Sequence, residues 1–375
     1  MRVEVQKRGD DAVTWQQAGP QNIPGRLTDP VVDPTNMTKV YVASAAGGVY
    51  KAVNLGNSWT AVFDSAAAPS VGAIAIHPTN PNILYVGTGE ANAARATYEG
   101  HGIYKTTDGG STWTYMGLPQ SYHIGRIVID HARPETVYVA VAGRQHGGTN
   151  PERGLYRSID GGATWDLKLF ISDSTSCIDV VLEPSSGTLL AAMWEHVRYP
   201  GIITRLGGMT SGIYKSTDFG NNWSLISGTG GLPGQADTVG RIGLTLDPNS
   251  GTVYALYATS VGSFMGVYKS TNLGATWTRT NDAALSGLFG SWDGGWYFGQ
   301  IRTAKGNPNL VFALGVPLYR SIDGGASWAN VTGNLHVDHH ALHILPSNPN
   351  YIYDGSDGGF ALSGNQGQTW TPTGS

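Results

Sequence analysis

Apolar and polar positions along the chain alternate in short runs broken by turn residues. Val71-Gly-Ala-Ile-Ala-Ile76 and Ile83-Leu-Tyr-Val86 flank a turn, His77-Pro-Thr-Asn-Pro-Asn82. A third run, Ile103-Tyr-Lys-Thr106, leads into Asp108-Gly-Gly-Ser-Thr112, and Trp113 opens a fourth. Alternation with a period of two, bounded by Pro, Asn and Gly, predicts strands joined by hairpin turns. Helix signals are nearly absent.

The pattern repeats. Gly48-Val-Tyr-Lys-Ala-Val-Asn-Leu-Gly-Asn-Ser-Trp59 recurs at 102–113, 154–165, 212–223, 266–277, 317–328 and 359–370. Its closing tryptophans are spaced 54, 52, 58, 54, 51 and 42 residues apart. A second unit, two apolar runs around a Pro/Asn turn, recurs between the copies. Each period therefore holds four strands, and a four-stranded repeat of this length predicts one β-propeller blade. Seven periods predict an all-β fold, a single seven-bladed propeller spanning 1–375. Segment 11–20 reads like the end of a blade and is expected to pack on the last one, helping to close the ring.

The turn has a local cause. Its acidic position reads Asn54, Asp108, Asp160, Asp218, Asn272, Asp323 and Asn365. Asp and Asn there accept bonds from backbone N–H groups just ahead, and a following glycine supplies positive φ. Asn serves without a charge, so these acids are read as structural.

Composition narrows the function. Only 13% of residues are charged, the net charge is −4, and 53 residues are glycine. No long basic run offers a surface to phosphates, which argues against a nucleic-acid partner. No run of 18 apolar residues exists, so no helical membrane span is expected. The single Cys177 does not decide the compartment.

Ser158-Ile-Asp-Gly-Gly-Ala-Thr-Trp165 and Ser321-Ile-Asp-Gly-Gly-Ala-Ser-Trp328 resemble the Asp box of bacterial neuraminidase repeats throughout. Gly295-Trp-Tyr-Phe-Gly-Gln300 and His336-Val-Asp-His-His-Ala341 give the chain the look of the sortilin-like or glycosyl-hydrolase-like repeat group. That resemblance implies a propeller scaffold and a secreted or cell-surface protein whose signal segment has been removed. It does not by itself imply one activity. Where family-74 glycoside hydrolases carry a catalytic Asp, this chain has Ala45. In place of the sialidase Arg-Ile-Pro segment it has Ile23-Pro-Gly-Arg26.

In a four-stranded blade the turns between strands one and two and between three and four share one face. Loops between strands two and three share the other face with the inter-blade connections. The long segments 87–102, 142–154, 193–212 and 281–299 all fall on this second face, together with seven of the ten histidines and with Trp194, Trp292 and Trp296. Long loops on a rigid scaffold are where function concentrates.

The expected ligand is a glycan or a protein. Glu90, Glu195 and Asp293 are the candidate catalytic carboxylates, since glycoside hydrolysis needs two that are close together. Arg26, Arg126 and Arg241 each follow a glycine at the start of an innermost strand and are candidates for binding an anionic group. His123 and His146 join them, while Trp194, Trp292 and Trp296 are candidates for stacking on sugar rings. His336, Asp338 and His340 are candidate ligands for zinc or calcium. Uronate lyase chemistry using Tyr98, His101, His123, Arg126, Arg144, His146 and Tyr199, and binding without catalysis, are the alternatives to hydrolysis.

Overall fold

The computed structural model describes residues 25–93, 97–148, 150–199 and 203–373. Seven four-stranded antiparallel sheets are arranged as the blades of a propeller, with strands at 27–61, 71–115, 124–169, 175–225, 239–279, 300–330 and 339–373. Within each blade the strands pair in chain order. Blade 4 carries an added hairpin, Val197–Tyr199 with Ile203–Arg205, between its second and third strands. Two short 3-10 turns, Ala283–Gly287 and Gly294–Trp296, are the helical elements among the described residues. The first strand of every blade lies against those of its neighbours, and blade 7 closes on blade 1.

The central residues of the second strands are mostly apolar because both of their faces are covered. Leu189, Leu190, Ala191, Ala192 and Met193 of blade 4 are all fully buried. Fourth strands are two to four residues long and mostly exposed. That keeps each outer edge too short to recruit another chain. Blade 7 takes its outer strand from Thr371–Thr373, whereas segment 11–20 lies outside the described residues.

The repeated turn is stitched as its residue types require. Asp160 Oδ1 accepts from Ser158 Oγ at 2.7 Å and from Thr164 N at 2.9 Å, while Ser158 Oγ accepts from Gly162 N at 2.8 Å. Asn365 repeats this with the Thr369 and Ser363 groups. Neighbouring blades are then tied through the turn. A buried second-strand tyrosine and a third-strand cation donate to one carbonyl on the next blade's turn. Tyr85 and Lys105 both reach Gly161 O at 2.9 Å. Tyr41 and Lys51 both reach Gly109 O at 3.0 Å, and Tyr138 and Arg157 both reach Phe219 O. Tyr353 of blade 7 donates to Met37 O of blade 1, where Trp59 also packs edge-on against Phe360, and these contacts seal the ring.

On the opposite face the loop after the second strand bonds to the connection entering the first. Ala45 N donates to Arg26 O, Gly89 N to Ser70 O, Ala142 N to His123 O, His196 N to Ser174 O and Asp357 N to Asp338 O. Long loops and inter-blade connections therefore share one face. Most first strands also carry a β-bulge near this end, at Thr28, Gly72, Gly125, Ile178 and His340. Bulges re-aim side chains toward a rim or site.

Candidate functional site

The bulged strand starts of blades 1, 5 and 7, the blade 2 loop and the connection into blade 6 meet at the mouth of the channel. Glu90, only 1% exposed, is held by Arg26, which donates from Nη2 to Oε2 at 2.9 Å and sets its Nε 2.9 Å from Oε1 as an ion pair. Arg26 Nη1 donates to the Tyr297 hydroxyl at 2.6 Å. Asn92 completes the shell, donating to Glu90 at 3.3 Å and accepting from Arg241 at 2.9 Å. Burial is the dominant influence on Glu90 and raises its carboxyl above the ordinary range, while Arg26 and His340 pull it back.

Blade 7 supplies the rest of the mouth. His340 is 1% exposed and sets Nε2 3.0 Å from Asp357 Oδ1. Its ring lies edge-on to Tyr297 and stacks on Phe298, with centroids 4.6 and 5.0 Å away. Asp338 is half-buried with φ 70°, in a left-handed conformation that Asp tolerates better than most residues. The two carboxyls are pushed in opposite directions. For Asp338, burial and the charge of Asp357 raise it against the pull of His336, His339 and His340. For Asp357, burial also pushes up, but the His340 contact and the charges of His340, Arg26 and His336 outweigh it, and the net shift is down.

An aromatic ridge borders these groups. Trp292, 49% exposed, meets Trp296 edge-on at 5.6 Å and lies at tilted angles to Tyr297 and Phe298. The Arg198 guanidinium sits 5.0 Å over the Trp296 ring.

The structure separates several residues that the sequence groups together. Glu195 does not share the cluster around Glu90. It accepts from Arg205 at 2.6 Å and from Thr210 Oγ1 at 2.8 Å, bonds that outweigh burial and lower its carboxyl. Asp293 is exposed, in a left-handed turn before the second 3-10 turn, with no side-chain capping bond. Trp194 is fully buried, with Nε1 on Leu206 O at 2.8 Å and its ring on His196 at 4.2 Å, so it anchors the blade 4 loop and offers no face to a sugar. Arg126 points into the channel, paired with Asp179 at 3.0 Å. It borders a cavity of about 200 Å³ that Asp29, Arg302 and His343 also line. Arg241 is buried and spent on Asn92 and the carbonyls of Trp296 and Tyr297, and burial lowers it to about 10.

His123 is fully buried with Nδ1 on Gly143 O at 2.8 Å, and burial lowers it to about 4. His146 is half-buried, its backbone bridged to Arg198. His336 Nδ1 meets its neighbour's carbonyl, Val337 O, at 2.5 Å. The adjacent histidines are divided, His339 going to Asp354 at 2.9 Å and His340 to Asp357. Among the described residues, no three His, Cys, Asp or Glu side chains are arranged to hold a metal ion. His336, Asp338 and His340 therefore form no three-ligand set. Of the lyase set, Arg144 pairs with Glu99, His101 stacks on Tyr115, and the buried His123 feels the charges of His146 and Arg144. Tyr297 reads in the sequence as an aromatic beside Trp296, but its hydroxyl contact with Arg26 was not legible, because it joins the connection into blade 6 to the start of blade 1.

No family model matches the chain. A xyloglucanase of Hypocrea jecorina is 23% identical over 364 residues, covering 85% of this chain and 40% of that protein. One from a Paenibacillus species is 25% identical over 329 residues, covering 78% of this chain and 30% of its own length. Among solved structures, the GH74 xyloglucanase of Xanthomonas campestris superposes with a TM-score of 0.67 at 19% identity, over 95% of this chain and 54% of that one. The chain is similar to xyloglucanase propellers. It spans well under half the length of these curated relatives. A structure of YCF48 from Cyanidioschyzon merolae matches with a TM-score of 0.56 at 14% identity, over 92% of this chain and 96% of that one. These likenesses agree with a glycoside-hydrolase-like propeller fold.

Proposed function

We propose that the chain is a carbohydrate-active, glycoside-hydrolase-like propeller that takes a glycan on the long-loop face, at the mouth formed by blades 1, 2, 5, 6 and 7. The carrying observation is the ridge of Trp292, Trp296 and Tyr297 standing beside half-buried carboxylates. Sugar rings present apolar faces and hydroxyl edges. A partly exposed aromatic ring supplies the flat contact, and carboxylates accept from hydroxyls. The similarity to xyloglucanases supports the substrate class. Location outside the cell belongs to the same proposal.

A binding propeller without turnover is the second reading. It is favoured by the engagement of Glu90 with Arg26 and of Glu195 with Arg205, and by Ala45 at the position where family-74 enzymes are expected to carry an acid. Incubation with a polysaccharide panel, read by new reducing ends, separates the two. Release from at least one glycan supports hydrolysis. Binding with no release supports the second reading, and neither binding nor release removes both.

A further inference from the structure

We infer that the loops of blades 3 and 4 hold a site for an oxyanion, the carboxylate or sulfate of an acidic sugar unit, beside the aromatic ridge. The inference rests on the carbohydrate-active reading above and adds the kind of substituent that the glycan carries. Arg26, Arg126 and Arg241 are spent on protein partners. A different set of basic side chains gathers where these two loops meet. Its floor is buried. Arg153 is 0% exposed and donates to three carbonyls, Ser174 O at 2.7 Å, His196 O at 2.6 Å and Arg144 O at 2.6 Å. Carbonyls satisfy N–H groups but leave the guanidinium charge in place, and its Nε has no partner among the described residues. His123 and His196 are also 0% exposed. Each is fixed through Nδ1, one to Gly143 O and the other to Ser176 Oγ, both at 2.8 Å, and each leaves Nε2 without a partner. The three groups are neighbours, since His196 feels the charges of both Arg153 and His123. Buried polar atoms are nearly always bonded, so unmet nitrogens gathered here point to a partner from outside the chain.

The rim above this floor reaches the ridge. Gly147 N donates to Arg198 O at 2.9 Å and His146 bridges to Arg198, which sews the blade 3 loop to the Val197–Tyr199 strand. The Arg198 guanidinium then sits 5.0 Å over the Trp296 ring. Trp296 separates it by one ring from the exposed Trp292, so a glycan stacked on the ridge can present a substituent to Arg198. Arg144, partly exposed, lies 4.3 Å over the Tyr122 ring. Against these basic groups stand Glu99, 3.1 Å from Arg144, and Asp173, whose charge acts on Arg153. Guanidinium groups meet carboxylate and sulfate oxygens with matched, charge-assisted bonds. His146 adds a dependence on pH. Burial and the Arg198 charge lower it, while Glu99 pulls it up, and the buried His123 lies near it. An oxyanion beside the ring favours the protonated form, so binding strengthens as pH falls. A neutral glycan uses the ridge alone, whereas an acidic one uses the ridge and this site together.

The test is calorimetric titration of the whole chain with matched oligosaccharides. One pair is a xylo-oligosaccharide with and without a glucuronate branch, and the other is a galacto-oligosaccharide with and without a sulfate ester. At least one acidic member is expected to bind about tenfold more tightly than its neutral counterpart, and the pair that shows this tells carboxylate from sulfate. Arg198→Gln should bring the two members of that pair to within about threefold of each other, with the neutral member bound as by the parent. Should the variant melt early, the parent supplies a second readout. Its preference for the acidic member should grow from about pH 7.5 to 5.5 and shrink as salt rises from about 0.05 to 0.5 M. Equal binding within both pairs overturns the site and leaves the glycan reading standing. A preference that survives in folded Arg198→Gln protein, or that ignores both salt and pH, overturns it as well. Absence of binding to all four ligands overturns the glycan reading beneath it.

Discussion

At the level of single residues, the mouth is ordered by one buried ion pair. Glu90 alone among the three candidate carboxylates sits at the mouth cluster, and it holds Arg26, which in turn holds the Tyr297 hydroxyl. Removing one member of a buried pair strands the other, at a cost of about 3–5 kcal/mol. Glu90→Ala is therefore expected to lower stability by roughly that amount in urea unfolding. A change under 1 kcal/mol would show that Arg26 finds solvent without penalty. Sequence position placed Glu90, Arg26 and Trp292 on the correct face. It could not tell Trp194 from Trp292, because both stand on long loops. Only the three-dimensional path of residues 203–212 shows that the first is covered and the second is not.

Among the elements, the repeated turn was legible because its chemistry is local. The Ser-x-Asp-x-Gly spacing closes its own bonds within five residues. Asp108, Asp160 and Asp323 are lowered to about 2 from an ordinary 3.8, chiefly by side-chain hydrogen bonds from Thr112, Thr164 and Ser327. Asp218 reaches about 2 first through the Asn222 N–H. A carboxyl lowered by folding stabilises above its unfolded value and loses that contribution as pH falls through its folded one. Thermal melts are thus expected to hold steady down to about pH 4 and to drop between about pH 4 and 2. Replacing all four acids with Asn, the residue already used at 54, 272 and 365, should flatten that drop. An unchanged acid limb would place the sensitivity elsewhere.

The links between blades were not legible, although their residues were. The Tyr and Lys of the repeat read as strand residues of one blade, yet they bond the turn of the next. Tyr85→Phe removes one of two donors to Gly161 O and is expected to cost about 1 kcal/mol, measured by chemical unfolding. A neutral result would mean that Lys105 alone suffices to tie blades 2 and 3.

For the molecule as a whole, seven blades spread the long loops around one rim, and the rim is uneven. Blades 6 and 7 bring the aromatic ridge and the Asp338 and Asp357 carboxyls, while blades 3 and 4 bring His123 and His196, both buried away from solvent. The propeller could be read from periodicity because each blade repeats the same local pattern. The site could not, since it is assembled from the residues that break the repeat. Asp357 is one of them, standing before two glycines in blade 7 where blade 1 has Ala46. The central claim is that the ridge and this mouth together hold a glycan. Calorimetric titration of the parent and of Trp292→Ala with neutral oligosaccharides tests it most directly. Trp292 is half exposed, so the variant should stay folded, with its melting temperature lowered only modestly by the lost contacts with Trp296, Tyr297 and Phe298. Affinity should fall about tenfold, the worth of about 1.4 kcal/mol of ring contact. Equal affinities for the two proteins, or no binding by the parent, would contradict the account.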